Sequence, residues 1–388
     1  MDGKIIIDED KEYVAGTYAR FPVAFKEGKG CRLYDYDDKE YVDFGSGIAV
    51  DIFGVNDGEW KSAVIEQLNK VQHTSNLFYT EPQARLAKLM CEKTGAKKVF
   101  FGNSGAEANE CAIKAARKYG ELKHGAARKE IITLKNSFHG RTLATLAATG
   151  QEEFHKYYGP FPAGFVYADP TLEGVESCIT EDTCAVMIEC IQGESGVNVL
   201  DKSFVQGLGK LCRERDILLI CDEVQTGNGR TGYMYAYQAY GISPDIVTTA
   251  KGLGGGLPIG ACMLFDKCKA VFGFGDHGST FGGNPVVCAG ACSVISRIDE
   301  KLLSDVRKKG EYLMSELKKI DGVEEVTGMG LMIGIKTEKP AAEIAKKCIS
   351  KGLLVLTAHS KVRLLPPLII GKAEIDFAIK ILSEVISG

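Results

Sequence analysis

The chain has 388 residues, 45% of them hydrophobic and 25% charged, with 47 Lys and Arg against 51 Asp and Glu for a net charge of -4. That length exceeds one compact core and predicts two domains, and the charge balance gives no electrostatic footprint for nucleic acid or an anionic membrane. No apolar run approaches membrane-spanning length. The thirteen cysteines and six histidines are scattered without C-x-x-C or H-E-x-x-H, so no metal site is expected and the thiols read as reduced residues of a cytoplasmic protein.

In chain order, residues 1–60 read as an N-terminal arm and a hairpin, with strands near 30–36 and 40–44 joined by Asp37-Asp38-Lys39. A helix follows at about 59–71, where Ala63, Val64, Leu68 and Val71 recur at helical spacing. From Lys97 onward strand, loop and helix repeat. Strands are expected at 99–101, 131–134, 185–188, 217–221, 245–249 and 260–265, and covering helices at 107–119 and 204–216. Nearly continuous apolar strands alternating with helices predict an α/β fold whose mostly parallel sheet is covered on both faces.

Beyond 277–285 the rhythm changes. One long helical segment is expected at 286–320, then strands near 323–327 and 331–335, a helix at 341–351, strands at 353–356 and 362–365, and a last helix at 373–386. The expected division is a large domain at 61–284 and a smaller α/β domain built from 1–60 and 285–388.

Two neighbouring strands carry the chemistry. One ends in Asp222-Glu223-Val224-Gln225 and the next in Ala250-Lys251-Gly252. In an open α/β sheet, ligands sit beyond the carboxyl ends of the strands, so Asp222 and Lys251 are placed to work together. Pyridoxal phosphate uses such a pair, with a lysine bound to its aldehyde and a carboxylate on its ring nitrogen. The alternative is a structural ion pair.

Ser104-Gly105-Ala106 lies where a strand gives way to a helix, a ready phosphate site; Ser104 also suits an N-cap, with Glu107 completing a capping box. Phe138 is placed to lie on a planar ring or to pack in the core. Arg141 and Arg363 offer two forks for carboxylates, which suggests a dicarboxylate substrate.

Gly227-Asn228-Gly229-Arg230-Thr231-Gly232 fits the dinucleotide pattern G-x-G-x-x-G. Asp222 and Glu223 would repel a pyrophosphate there, and the span to Ser243-Pro244 is short for a crossover helix, so a glycine-rich turn is the better reading.

Taken together, Asn103-Ser104-Gly105-Ala106-Glu107-Ala108-Asn109, Phe138-His139-Gly140-Arg141-Thr142, Asp222-Glu223-Val224-Gln225-Thr226-Gly227, Lys251-Gly252 and Gly278-Ser279-Thr280-Phe281-Gly282-Gly283-Asn284-Pro285 carry a resemblance. From about Tyr18 to the C-terminus the chain resembles the class III, subgroup II, pyridoxal-phosphate aminotransferases, and within them the branch acting on N2-acetylornithine. The resemblance implies a fold-type I homodimer with active sites at the subunit interface. It implies that Lys251 holds the cofactor, Asp222 pairs with the pyridine nitrogen, Gln225 touches the ring hydroxyl and Phe138 stacks on the ring. Ser104, Gly105 and Ala106 would bind the phosphate with Thr280 of the partner subunit. Arg141, with Ser279 of the partner subunit, would meet the substrate. Arg363 would take the α-carboxylate of glutamate or 2-oxoglutarate, and Glu194 would cover Arg363 when the other donor binds.

The implied reaction moves the terminal amine of N2-acetylornithine to 2-oxoglutarate, a step of arginine biosynthesis. Ornithine, succinylornithine, 4-aminobutyrate and N-succinyl-diaminopimelate remain alternative donors, and a pyridoxal-phosphate decarboxylase or aminomutase the alternative reaction. One departure is local: where members carry Gly-His-x-His-Pro, this chain has Gly54-Val55-Asn56-Asp57-Gly58.

Overall fold

The computed structural model describes residues 2–125 and 128–388. Its centre is a seven-stranded sheet in the order Lys98–Gly102, Gly260–Leu264, Ile246–Thr249, Leu218–Asp222, Thr183–Ile188, Glu130–Leu134 and Phe165–Ala168. Gly260–Leu264 runs antiparallel to both neighbours, and the pairings from Ile246–Thr249 to Phe165–Ala168 are parallel.

Alternation along the strands sorts their side chains between two cores. Leu218 and Ile220 join Ala185, Met187 and Ile246 under the helix Gly105–His124, which offers the small residues Cys111, Ala112, Ala115 and Ala116. Leu219 and Cys221 face the other way with Val186, Ile188 and Val247, against Phe204, Val205, Leu208 and Cys212 of the helix Lys202–Glu214. Both faces are therefore buried, which explains why these strands run nearly continuously apolar and place their polar residues at their ends.

The two ends of the chain meet in a second sheet. Phe25–Lys29, Arg32–Asp35 and Glu40–Asp43 pair antiparallel, and Leu353–Leu354 adds to Glu40–Asp43 in parallel. A third sheet orders Val323–Met329, Met332–Thr337, Lys361–Leu364 and Leu356–Ala358. The strand expected at 353–356 is thus two strands in two sheets, divided at the buried Val355.

Other expectations change too. The arm carries a helix, Gly3–Tyr13, capped by Asp2 and burying none of its residues. The long helix expected at 286–320 is two helices, Pro285–Arg297 and Glu300–Leu317. Ile298 is extended, and the Asp299 carboxylate accepts from the Leu302 N–H at 2.8 Å, starting a new helix in place of continuing the old one. Glu81–Thr94 is a further helix, ended by Gly95 in the left-handed conformation.

The departing turn at 54–58 is well held without histidines. Val55 and Gly30 exchange two backbone bonds of 2.8 Å, and Asp57 caps the helix Gly58–Leu68 while pairing with both terminal nitrogens of Arg297.

Candidate active site

Asp222 ends its strand in register with Thr248 of the neighbouring strand and shares its face with Leu218 and Ile220. It therefore points toward the helix Gly105–His124, where Asn109 meets it. The Asn109 amide donates to Asp222 Oδ2 at 2.7 Å and to the His139 carbonyl at 2.7 Å, and its own oxygen accepts from Thr248 at 2.6 Å. His139 Nδ1 lies 2.8 Å from the same Asp222 oxygen, and the Val224 N–H donates to the other at 3.0 Å. A buried carboxylate is thus fixed at both oxygens.

Lys251 opens a short 3₁₀ turn, Lys251–Leu253, directly after its strand. Its φ of 44° lies in the left-handed region that side chains other than glycine avoid, a local cost that recurs at functional sites. Burial lowers the Lys251 amine from its usual range; Glu194 works against that shift and Arg363 adds to it. With Asp222 it lines a cavity of about 530 Å³ that Phe138, Val224, Gln225 and Glu194 also wall.

At one end of that cavity the helix Gly105–His124 begins. Ser104 Oγ accepts from the Glu107 N–H at 3.1 Å, as an N-cap should. The expected capping box is altered: the Glu107 carboxylate reaches the Asn103 N–H at 2.6 Å and the Asn103 amide at 2.8 Å, not the N–H of Ser104. The first-turn N–H groups of Gly105 and Ala106 have no intrahelical acceptor and face the cavity end of the helix dipole. Gly105 is required for packing, since a Cβ there would lie 2.7 Å from Val224 Cγ1.

Behind Glu194 and Gln225, which line the cavity, lies Arg363, 3% exposed and not itself a lining residue. Its Nη1 donates to Glu194 at 2.7 Å, to the Gln225 oxygen at 3.1 Å and to the Gly193 carbonyl at 3.2 Å, while its buried Nε has no partner among the described residues. Gln225 Nε2 donates to the same Glu194 oxygen at 3.1 Å. Burial works against the Glu194 carboxylate, yet Arg363, Lys251 and these hydrogen bonds outweigh it and hold the group below its usual range.

Phe138 and Arg141 stand at the cavity mouth. The Arg141 guanidinium lies over Phe138 and Phe154, 5.6 and 5.2 Å from the ring centres, and among the described residues it forms no ion pair. Ser279 and Thr280 are not among the lining residues of this chain's own cavity. Ser279 Oγ accepts from Asn103 at 3.1 Å, and Thr280 is exposed.

The cavity also holds Glu189, Asn109, His139 and Val224, which sequence reasoning did not single out as site residues. Glu189 follows a buried strand as Asp222 ends one, and it shares the face of Ala185 and Met187, so strand alternation could have found it. Its carboxylate accepts from the Phe138 N–H at 2.7 Å and the Gly193 N–H at 3.3 Å. Burial pushes it up to about 7, Asp222 adding to the shift and His139 opposing it.

Residues 13–386 match the family described as Aminotransferase class-III. Among curated relatives, the chain is 50% identical over 382 residues to an acetylornithine aminotransferase of Haemophilus ducreyi, covering 97% of each chain. It is 45% identical to one of Methanocaldococcus jannaschii, over 98% of this chain and 97% of that one. Among solved structures, an ornithine aminotransferase of Toxoplasma gondii superposes with a TM-score of 0.95 at 30% identity, covering 100% of this chain and 95% of the other. An acetylornithine aminotransferase of Elizabethkingia anophelis gives 0.89 at 30% identity, covering 100% and 99%.

Proposed function

The chain belongs to the class III aminotransferases, enzymes that depend on pyridoxal phosphate, and from that premise we propose that it moves the terminal amine of N2-acetylornithine to 2-oxoglutarate. The products are N-acetylglutamate 5-semialdehyde and glutamate, a step of arginine biosynthesis. The observation that carries the reading is the covered guanidinium: Arg363 already has a carboxylate partner in Glu194, and Glu194 lines the cavity that holds Lys251. Such a pocket suits a donor with no carboxylate beside its reacting amine and, once Glu194 moves, a second substrate that has one. The donors named for the relatives at 50% and 45% identity support the same choice. Ornithine is the runner-up, because ornithine aminotransferases stand among the structural neighbours.

The residues fit the cofactor. A buried amine with no hydrogen-bond partner among those described, a fixed carboxylate, unclaimed N–H groups at a helix start and apolar side chains between them make one connected site. When bound, pyridoxal phosphate supplies a carbonyl carbon that accepts the amino group and a ring that withdraws electrons from the substrate carbon.

Lys251 would hold the cofactor and, once displaced as a neutral amine, take a proton from the substrate carbon at Nζ and return it on the far side of the transferred nitrogen, two atoms away. Its depressed basicity suits that role. Asp222 would keep a proton on the ring nitrogen. Ser104, Gly105 and Ala106 would receive the phosphate, joined by Thr280 of the partner subunit, and Phe138 would cover the ring. Arg141, with Ser279 of the partner subunit, would bind the distal part of the substrate. Gln225, now occupied by Arg363 and Glu194, would turn its amide to the ring hydroxyl.

We place the active form as a cytoplasmic homodimer. Leu77, Phe78 and Phe281 are 87%, 66% and 61% exposed, and Asn76 joins their segments through bonds to the Ser279 and Gly282 carbonyls. An exposed apolar patch beside Thr280 suits a partner surface. We divide the chain into a large unit at 61–284 and a smaller one from 1–60 and 285–388, with the helices after Asn284 as the connection.

The test is product analysis. N-acetylornithine and 2-oxoglutarate should yield glutamate and aldehyde in equal amounts. Carbon dioxide release without glutamate would favour a decarboxylase instead.

A further inference from the structure

The loop Gly227-Asn228-Gly229-Arg230-Thr231-Gly232 takes no part in the chemistry above, yet it reaches both halves of the site. On one side the Asn228 amide donates to Thr249 Oγ1 at 2.9 Å and to the Ala250 carbonyl at 3.2 Å, at the residue before Lys251. On the other side Arg230, 1% exposed, donates from Nη1 to the Leu331 carbonyl at 3.0 Å and to the Pro366 carbonyl. The Arg230 carbonyl accepts from the Leu331 N–H at 3.0 Å.

Leu331 leads into the strand Met332–Thr337, whose Gly334 is the register partner of Arg363, and Pro366 lies three residues beyond Arg363. One guanidinium nitrogen therefore anchors both the strand beside Arg363 and the exit of its own strand.

A buried arginine is an expensive way to fill space. Arg230 has no ion pair among the described residues, and its Nε and Nη2 have no partner. Asp43 exerts the one opposite charge that supports it, and its Oδ1 already accepts from the Gly45 and Ser46 N–H groups. An apolar side chain of similar volume would serve stability as well or better. What it could not do is hold two carbonyls from different segments at a fixed separation.

We propose that Arg230 is a positioning residue that sets Arg363 against Lys251, so that the α-carboxylate of glutamate or 2-oxoglutarate is bound in reacting register. The inference rests on the role given above to Arg363. A donor with no carboxylate beside its reacting amine does not use that register, so the two half-reactions separate the effect.

The experiment compares Arg230→Lys, Arg230→Met and Arg363→Lys in the holoenzyme, with single-turnover rates of each half-reaction read from cofactor absorbance and folding checked by thermal denaturation. Arg230→Lys keeps the charge and stem but loses the fork. It should weaken the glutamate half-reaction by about 10- to 100-fold, mainly as a raised substrate concentration at half-maximal rate, and leave the acetylornithine half within about twofold. Equal losses in both halves, or none, would overturn the proposal. Failure of both Arg230 variants to fold would overturn it as well, since Arg230 would then have no role separable from the core. If Arg363→Lys leaves the glutamate half intact, the assignment of Arg363 has failed; if it weakens that half and Arg230→Lys does not, only the positioning role has.

Discussion

Arg363 donates to the Glu194 carboxylate at 2.7 Å, and Glu194 lines the cavity that also holds Lys251. A buried guanidinium left alone beside a methylene chain is strongly disfavoured, and on the proposed reading Glu194 stays while the donor is bound and leaves when an α-carboxylate reaches Arg363. Glu194→Ala should slow the acetylornithine half-reaction by tenfold or more, about 1.4 kcal/mol, while sparing or improving the glutamate half. Single-turnover rates for the two halves check this; equal losses would reduce Glu194 to a structural residue.

Asp222→Asn removes the charge and keeps the shape. Both oxygens of Asp222 accept hydrogen bonds, from Val224 on one side and Asn109 on the other, so an amide can satisfy one side only. The loss should fall on proton transfer more than on cofactor retention, by about three decades or more, roughly 4 kcal/mol. Stopped-flow rates with cofactor content measured in parallel decide it, and an unchanged rate would rule out the electrostatic role.

Thr280 is exposed and lines no part of its own chain's cavity. If it serves the neighbouring site, then mixing inactive Lys251→Ala with inactive Thr280→Ala subunits should restore activity, because one hybrid site carries neither lesion. Lack of complementation after verified subunit exchange would count against shared sites.

Glu223 is buried, accepts from Thr226 and from the Ala236 and Tyr237 N–H groups, and burial pushes it up to about 7. A carboxyl raised above its unfolded value binds more protons in the folded state between about 4.5 and 7, so its contribution to stability falls as pH rises through that window. The slope is at most about 1.4 kcal/mol per pH unit. Denaturation of Glu223→Gln at several pH values should show a flatter fall than the parent over this range. Parallel curves would place the titration elsewhere.

Asp222 and Lys251 could be read from sequence because apolar runs mark buried parallel strands, and whatever polar residue ends such a run must meet a ligand or a partner. Glu189 obeys the same rule but is followed by Cys190-Ile191, so the apolar run blurs across it. Arg230 and Glu223 were not legible as core residues, since nothing local says that a polar glycine-rich loop folds inward; that depends on carbonyls and N–H groups from distant segments. The helix Gly3–Tyr13 buries no residue and so leaves no apolar stripe to read. The break before Glu300 was signalled by Asp299 as an N-cap, but the apolar residues on both sides continue the helical period across it.

The most direct test of the account is a donor panel on the holoenzyme, following cofactor absorbance first with each amine alone and then after 2-oxoglutarate is added. N-acetylornithine should bleach the absorbance fastest, and 2-oxoglutarate should restore it with one glutamate formed per cycle. Faster turnover of ornithine or 4-aminobutyrate, with N-acetylornithine leaving the absorbance unchanged, would contradict the account.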